Sequence, residues 1–136
     1  MHNDFRLYTS KQAFEIYNEN CGDKKLFPKK SDMYFWCVTL GYKHAPNLIP
    51  SSLGPERQGE IHWGAFDDDI QKPFLNMVAV EANNSFDVLA DNKEAQEKFR
   101  DIIQAYAELG FTLLCTNMNG HFTSDKLMEI IINETI

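Results

Sequence analysis

Residues 31–41, Ser-Asp-Met-Tyr-Phe-Trp-Cys-Val-Thr-Leu-Gly, constrain the fold of this chain more than any other stretch. Met33, Tyr34, Phe35, Trp36, Cys37, Val38 and Leu40 run almost without a polar break. Ser31 is placed to cap a helix, because a serine hydroxyl can accept from a free amide of the first turn. Asp32 then sets a negative charge at the positive end of the helix dipole. Gly41 fits the left-handed residue that closes a helix. A helix of this kind is apolar nearly all round, so it must be covered on most sides. It is too short to cross a bilayer, which takes roughly 20 residues. It is therefore expected at the centre of a globular core, with Phe35 and Trp36 as core side chains rather than a ligand-stacking surface.

The rest of the chain reads as elements able to cover that helix. Residues 10–20 form a first helix, with Thr9 and Gln12 at capping-box spacing and Gly22 as a stop. Residues 43–58 form a long loop whose three prolines and Gly54 exclude a helix. Residues 60–66 alternate apolar and polar like a strand. Pro73 suits the first turn of a second apolar helix over 74–80, which Asn83 and Asn84 end. Phe86, Val88 and Leu89 make a short packed turn. Residues 91–109 are amphipathic, capped by Asp91 with Glu94 three residues on. Ala95, Phe99, Ile102, Ile103, Tyr106 and Leu109 fall on the buried face; Glu97, Lys98, Arg100, Asp101, Gln104 and Glu108 fall on the other. Gly110 stops this helix and residues 111–116 read as a strand. Thr123 or Ser124 opens a last helix carrying Leu127, Met128, Ile131 and Ile132. The expectation is a single, mostly α domain over residues 1–136, with about five helices and a small two-stranded element pairing 60–66 with 111–116. An α+β domain with a third strand near Phe5–Tyr8 is the alternative.

At 136 residues the chain is long enough for one real core. Its N-terminus is polar, with no apolar signal region. Cys21, Cys37 and Cys115 are odd in number and far apart, which argues for reduced thiols and a cytoplasmic setting. Charge is distributed unevenly. The net is −7, yet residues 1–57 carry 8 Lys/Arg against 6 Asp/Glu, while residues 58–136 carry 5 against 14. The positive side chains Lys24, Lys25, Lys29, Lys30 and Lys43 flank the central helix. With Arg57 and the proline loop 44–57, they are the candidate contact to a partner or to DNA.

Signatures of chemistry are sparse. A metal-dependent nuclease would need convergent carboxylates. Glu60, Asp67, Asp68 and Asp69 provide carboxylates, with Lys72 as a charge partner, and the strand-borne Glu-x-Lys that usually completes such a site is missing. Three adjacent aspartates before a helix are more often a solvated N-terminus favoured by the dipole. His2, His44, His62 and His121 pair with no cysteine at zinc-finger spacing. The glycines form no phosphate loop. No catalytic residue, metal, cofactor or small-molecule substrate is expected of this chain alone; a site completed by another chain stays open.

The order Phe27-Pro28, Lys30, Asp32, Tyr34-Phe35, Leu40-Gly41 and Lys43 resembles the Dnd-system-associated protein 4 family. Ile61-His62-Trp63, Met77-Val78-Ala79-Val80 and Ala105–Gly110 are similar in order and spacing, so the resemblance covers about residues 26–117. Members of that family are small proteins of bacterial DNA phosphorothioation and phage-defence loci. The resemblance implies an accessory or adaptor role in anti-phage defence. Its partners would be other proteins of the same system, with DNA reached through a partner or the basic face and no membrane involved. It supplies no catalytic residues. A small nuclease using Glu60 and Asp67–Asp69 is the alternative.

Overall fold

The computed structural model describes residues 4–47, 57–118 and 123–135. Five helices and a two-stranded antiparallel sheet pack around one apolar core: β1 (Arg6–Ser10), α1 (Lys11–Asn20), α2 (Lys30–His44), β2 (Arg57–His62), α3 (Gln71–Asn83), α4 (Lys93–Met118) and α5 (Ser124–Thr135). Short 3-10 turns follow β2 at Trp63–Ala65 and α3 at Phe86–Leu89. The mostly α architecture is the one the sequence predicts.

The central helix is α2, and it forms its most extensive contact with α4. Met33, Tyr34, Cys37 and Val38 are fully buried. Phe35 and Trp36, expected in the core, are half-buried at its margin, where Phe35 packs on Phe74 with ring centroids 5.4 Å apart. The helix extends past Ser31 and Gly41 at both ends. Lys29, not Ser31, is the N-cap, and the buried Ser31 hydroxyl instead donates to the Ala65 carbonyl at 3.3 Å.

Gly41 and Gly110 stop neither helix. Both are helical and buried, and they mark the crossing of α2 and α4. A Cβ on Gly41 would run into the Tyr106 carbonyl, and one on Gly110 into the Cys37 carbonyl. Each glycine thus lies against the residue four positions before the other glycine, one turn back along the facing helix. Because Gly110 is used for packing, α4 continues through residues 111–116, which were expected as a strand.

The sheet pairs β1 with β2 in the register Arg6↔His62, Leu7↔Ile61, Tyr8↔Glu60 and Thr9↔Gly59, with a shift before Ser10↔Arg57. The strand near Phe5–Tyr8 is therefore real, and it takes the partner that had been assigned to 111–116. Leu7 and Ile61 point into the core, while Arg6, Glu60 and His62 point out. An uncovered edge strand would invite pairing with another chain. Here α4 covers the edge of β1 with three side chains spaced one turn apart. Arg100 Nε donates to the Arg6 carbonyl at 2.9 Å, Gln104 Oε1 accepts from the Tyr8 amide at 2.9 Å, and Glu108 accepts from the Ser10 hydroxyl at 2.8 Å. The Tyr34 hydroxyl closes the set by donating to the Tyr8 carbonyl at 3.2 Å. Gln104 is wholly buried and Arg100 and Glu108 are half-buried, although the sequence places all three on a solvated face.

The remaining caps lie close to where they are expected. Ser10, rather than Thr9, caps α1 through the Ala13 amide at 3.2 Å. Asn92, rather than Asp91, accepts from the Ala95 amide at 2.9 Å. Asn84 ends α3 with a left-handed φ of 55°. Thr123 accepts from the Lys126 amide at 3.2 Å and α5 follows, burying Leu127 and Ile130. Phe86, expected in a packed turn, is 77% exposed, and only Val88 of that turn is buried.

Candidate interaction surface

The structure divides the six candidate contact residues into three places. Lys24, Lys25, Lys29 and Lys30 lie together on the turn between α1 and α2 and on the first residue of α2. Lys43 sits near the other end of α2, thirteen residues on, a separation of roughly 20 Å at 1.5 Å per helical residue. Arg57 belongs to the sheet. Its guanidinium lies 5.2 Å from the centre of the Tyr8 ring, and that of Arg100 lies 5.9 Å from the same ring. Tyr8 and Arg100 thus accompany Arg57, outside the set of residues that the sequence suggests. Their convergence depends on pairing strands about 50 residues apart, which no local pattern signals. Of the proline loop 44–57, residues 48–56 lie outside the described residues.

The lysine turn is built from its backbone. Gly22 donates to the Phe27 carbonyl at 2.9 Å, Phe27 donates to the Asn20 carbonyl at 3.1 Å, and Lys25 donates to the Gly22 carbonyl at 3.2 Å. The Phe27 ring is buried and pins the turn to the core. Lys24 holds a φ of 61°, a left-handed conformation that a lysine adopts at a cost of about 1 kcal/mol or more. All four lysines are exposed. Lys25 Nζ donates to the Glu19 carbonyl at 2.8 Å, Lys29 Nζ to the Ala65 carbonyl at 3.1 Å, and Lys30 Nζ lies 5.4 Å from the Phe14 ring centre. Glu19, Asp23 and Asp32 share this segment, so residues 19–32 carry four lysines against three carboxylates.

The carboxylates considered for a nuclease are engaged locally. Asp67 turns its Oδ1 onto the amides of Asp69, Ile70 and Gln71 at 3.1, 2.6 and 3.0 Å. The Gln71 side chain returns the contact to the Asp67 amide at 3.0 Å and reaches Asp32 on α2 at 3.0 Å. Asp68 pairs with Lys72 at 2.7 Å, and Glu60 pairs with Arg6 at 3.4 Å across the sheet. Among the described residues no three His, Cys, Asp or Glu side chains form a group able to hold a metal ion. The three aspartates precede α3, and Asp67 accepts from the amides that open it.

Hydrogen bonds from the Gln71 and Ile70 amides hold the Asp67 carboxyl below its ordinary value of 3.8. A lowered value means that the ionised form stabilises the fold, fully once the pH is well above the ordinary 3.8 and progressively less as pH falls through the lowered value. Asp67→Ala is therefore expected to lower the melting temperature at pH 7 more than Asp69→Ala does, with the gap closing in acid. Equal effects of the two substitutions at neutral pH would show that Asp67 does not hold the start of α3.

The thiols are not activated. Burial pushes Cys37 up to about 12 and Cys21 up to about 11, the latter against the pull of Lys30. Cys115 is raised as well, again mainly by burial. All three stay protonated at neutral pH, and a thiol is a poor nucleophile in that form. No helix among the described residues is long and apolar enough to cross a membrane.

Comparison with curated proteins and with solved structures gave no match in either case. Comparison with protein families matched one, described as DNA sulphur modification system-associated protein 4, over residues 7–136. The match extends well beyond residues 26–117, taking in the edge strand β1 from Leu7 and the last helix α5. With nearly the whole fold inside it, the chain belongs to the DNA sulphur modification system-associated protein 4 family.

Proposed function

We propose that this protein is a non-catalytic adaptor of a bacterial DNA sulphur modification system linked to anti-phage defence. It docks on other proteins of that system through Lys24, Lys25, Lys29 and Lys30, and brings them to DNA or to an acidic protein surface. Lys43 and Arg57, displaced from this corner, contribute to the long-range field and not to the same contact.

One observation carries the reading. A turn fixed by three backbone hydrogen bonds and a buried phenylalanine displays four exposed lysines, one of them in a left-handed conformation. Glycine or asparagine would take that conformation at lower cost. Backbone strain of this kind collects at functional positions. A preformed display also spares a partner the cost of ordering the segment on binding. Family membership supplies the setting, a DNA sulphur modification system.

The test is to reverse all four charges, as K24E/K25E/K29E/K30E, and to follow association with the modification proteins of the same locus. Folding is expected to survive, since exposed substitutions usually change stability by within about 0.5 kcal/mol. The association rate is expected to fall by about ten-fold or more, and added salt to slow the wild type in the same direction. A reversed variant that associates as fast and as tightly as wild type at low salt rules the corner out as a contact surface.

A further inference from the structure

On the side of the molecule formed by α3 and the 3-10 turn after it, apolar side chains are left uncovered. Ile70 is 67% exposed, Met77 39%, Phe86 77% and Leu89 37%. Pro73, Met77, Val80, Phe86 and Leu89 line a groove of about 310 Å³, with Asn76 and Glu81 as its polar walls among the described residues. Ile70, Pro73 and Met77 follow one another at helical spacing, so the apolar strip extends from the groove toward the start of α3. Clustered exposed apolar side chains of this kind mark interaction sites. A phenylalanine on a short turn has the whole core available to it; here Val88 is buried in its place and Phe86 stands outward.

The surroundings of the groove define its occupant. Glu81 lines the groove itself, and residues 67–98, which build this side, carry eight exposed carboxylates against three lysines, of which Lys72 pairs with Asp68 and Lys98 with Glu94. A nucleic acid or an anionic membrane would be repelled by this rim. A second copy of the chain, docked about a two-fold axis, would bring the same acidic rim against itself, because such an interface presents one patch to its own image. A protein segment with an apolar anchor and basic flanks satisfies both the groove and the rim.

We infer that the groove between α3 and the 3-10 turn is a docking site for a segment of another protein that inserts apolar side chains beside Phe86 and Met77 and carries lysine or arginine on either side. The site is separate in chemistry from the lysine corner, so an adaptor built this way could hold two partners of opposite charge. It does not require the lysine corner to function.

The inference can be tested on the full chain with three synthetic peptides. One is an amphipathic helix with a leucine face and lysines elsewhere. The second keeps the leucines and replaces lysine with glutamate. The third keeps the lysines and replaces leucine with serine. By calorimetry the first peptide is expected to bind saturably and the other two not to. Met77→Ser combined with Phe86→Ser is expected to weaken binding about ten-fold or more, as loss of a central anchor does, without moving the melting temperature. The K24E/K25E/K29E/K30E variant is expected to bind the first peptide at least as well as wild type, which keeps failure of the groove distinct from failure of the lysine corner. The inference is overturned if the first peptide does not bind, if either control peptide binds as well, or if the double serine variant binds unchanged. Sedimentation showing that wild type self-associates while the double serine variant is monomeric would overturn it too, by making a second copy the occupant.

Discussion

Gly110→Ala is expected to destabilise the protein by about 3 kcal/mol or more, which is most of the total if its stability lies at the lower end of the usual range of roughly 5–15 kcal/mol. Helix propensity alone argues the other way. Replacing a mid-helix glycine with alanine gains about 0.5–1 kcal/mol. The opposing effect is larger because of what the new methyl group would meet. It would overlap the carbonyl of Cys37, which is backbone of α2 and cannot rotate aside as a side chain can. The two helices would have to part along their most extensive contact, loosening Tyr34, Cys37, Val38, Tyr106 and Leu114 together, all of them fully buried. Overpacking a core typically costs about 1–3 kcal/mol where side chains can adjust, and the cost rises where only backbone can move. Gly41→Ala, directed at the Tyr106 carbonyl, is expected to act in the same direction. Urea unfolding read by circular dichroism gives the sign directly. A Gly110→Ala protein as stable as wild type, or more so, would mean that α2 and α4 cross farther apart than described.

These two glycines also show where the sequence stops being informative. A glycine after an apolar helical run has two physical uses, a left-handed stop or a close approach of another helix. Local pattern favours the stop. The close approach depends on a partner about 70 residues away, and so Gly41 and Gly110 were both assigned the wrong use. The error at Gly110 propagated, since ending α4 there freed residues 111–116 to be read as a strand and supplied a false partner for 60–66. The true partner, Arg6–Ser10, is five residues long and was visible only as an alternative. By contrast, the existence of all five helices was legible, because each carries an apolar stripe and a polar start. Their caps missed by one or two residues at Ser10, Lys29 and Asn92, where several polar side chains compete and tertiary contacts choose among them.

The polar face of α4 is the second instructive miss. Arg100, Gln104 and Glu108 recur every fourth residue, which in isolation reads as a solvated stripe. They serve as hydrogen-bonding partners for a strand edge, and edge strands need such cover as much as the core needs apolar side chains. The candidate contact residues fared unevenly for a related reason. Lys24, Lys25, Lys29 and Lys30 are neighbours in sequence and remain so in space. Lys43 was grouped with them because it flanks the same helix, but the helix has length, and that length carries it to the other end. Of the Asp67–Asp69 triplet, Asp67 serves the start of α3, because the amides of Asp69, Ile70 and Gln71 need an acceptor there.

Tyr34→Ala is expected to be far more damaging than Trp36→Ala, by about 3 kcal/mol or more, although tryptophan is the larger side chain. In the sequence the two are equivalent members of one apolar run, and Trp36 would be the natural choice for the core. In the structure Tyr34 is fully buried, with its ring 6.2 Å from Phe66 and 6.4 Å from Tyr17. Its hydroxyl also donates to the Tyr8 carbonyl at 3.2 Å, tying the central helix to the sheet. Removing the ring leaves a cavity that the surrounding aromatics cannot fill, at about 3–5 kcal/mol for a buried aromatic. The lost hydrogen bond adds about 1 kcal/mol, and Tyr34→Phe isolates that share. Trp36 is half-buried at the margin against Phe35, so its truncation exposes a shallow surface rather than opening a void. Denaturation midpoints of Tyr34→Ala, Tyr34→Phe and Trp36→Ala would rank the three. If Trp36→Ala proved the most destabilising, α2 would have to be turned about its axis to place Trp36 inward. The hydrogen bond from Tyr34 to β1 would then be lost, and with it the placement of the edge strand.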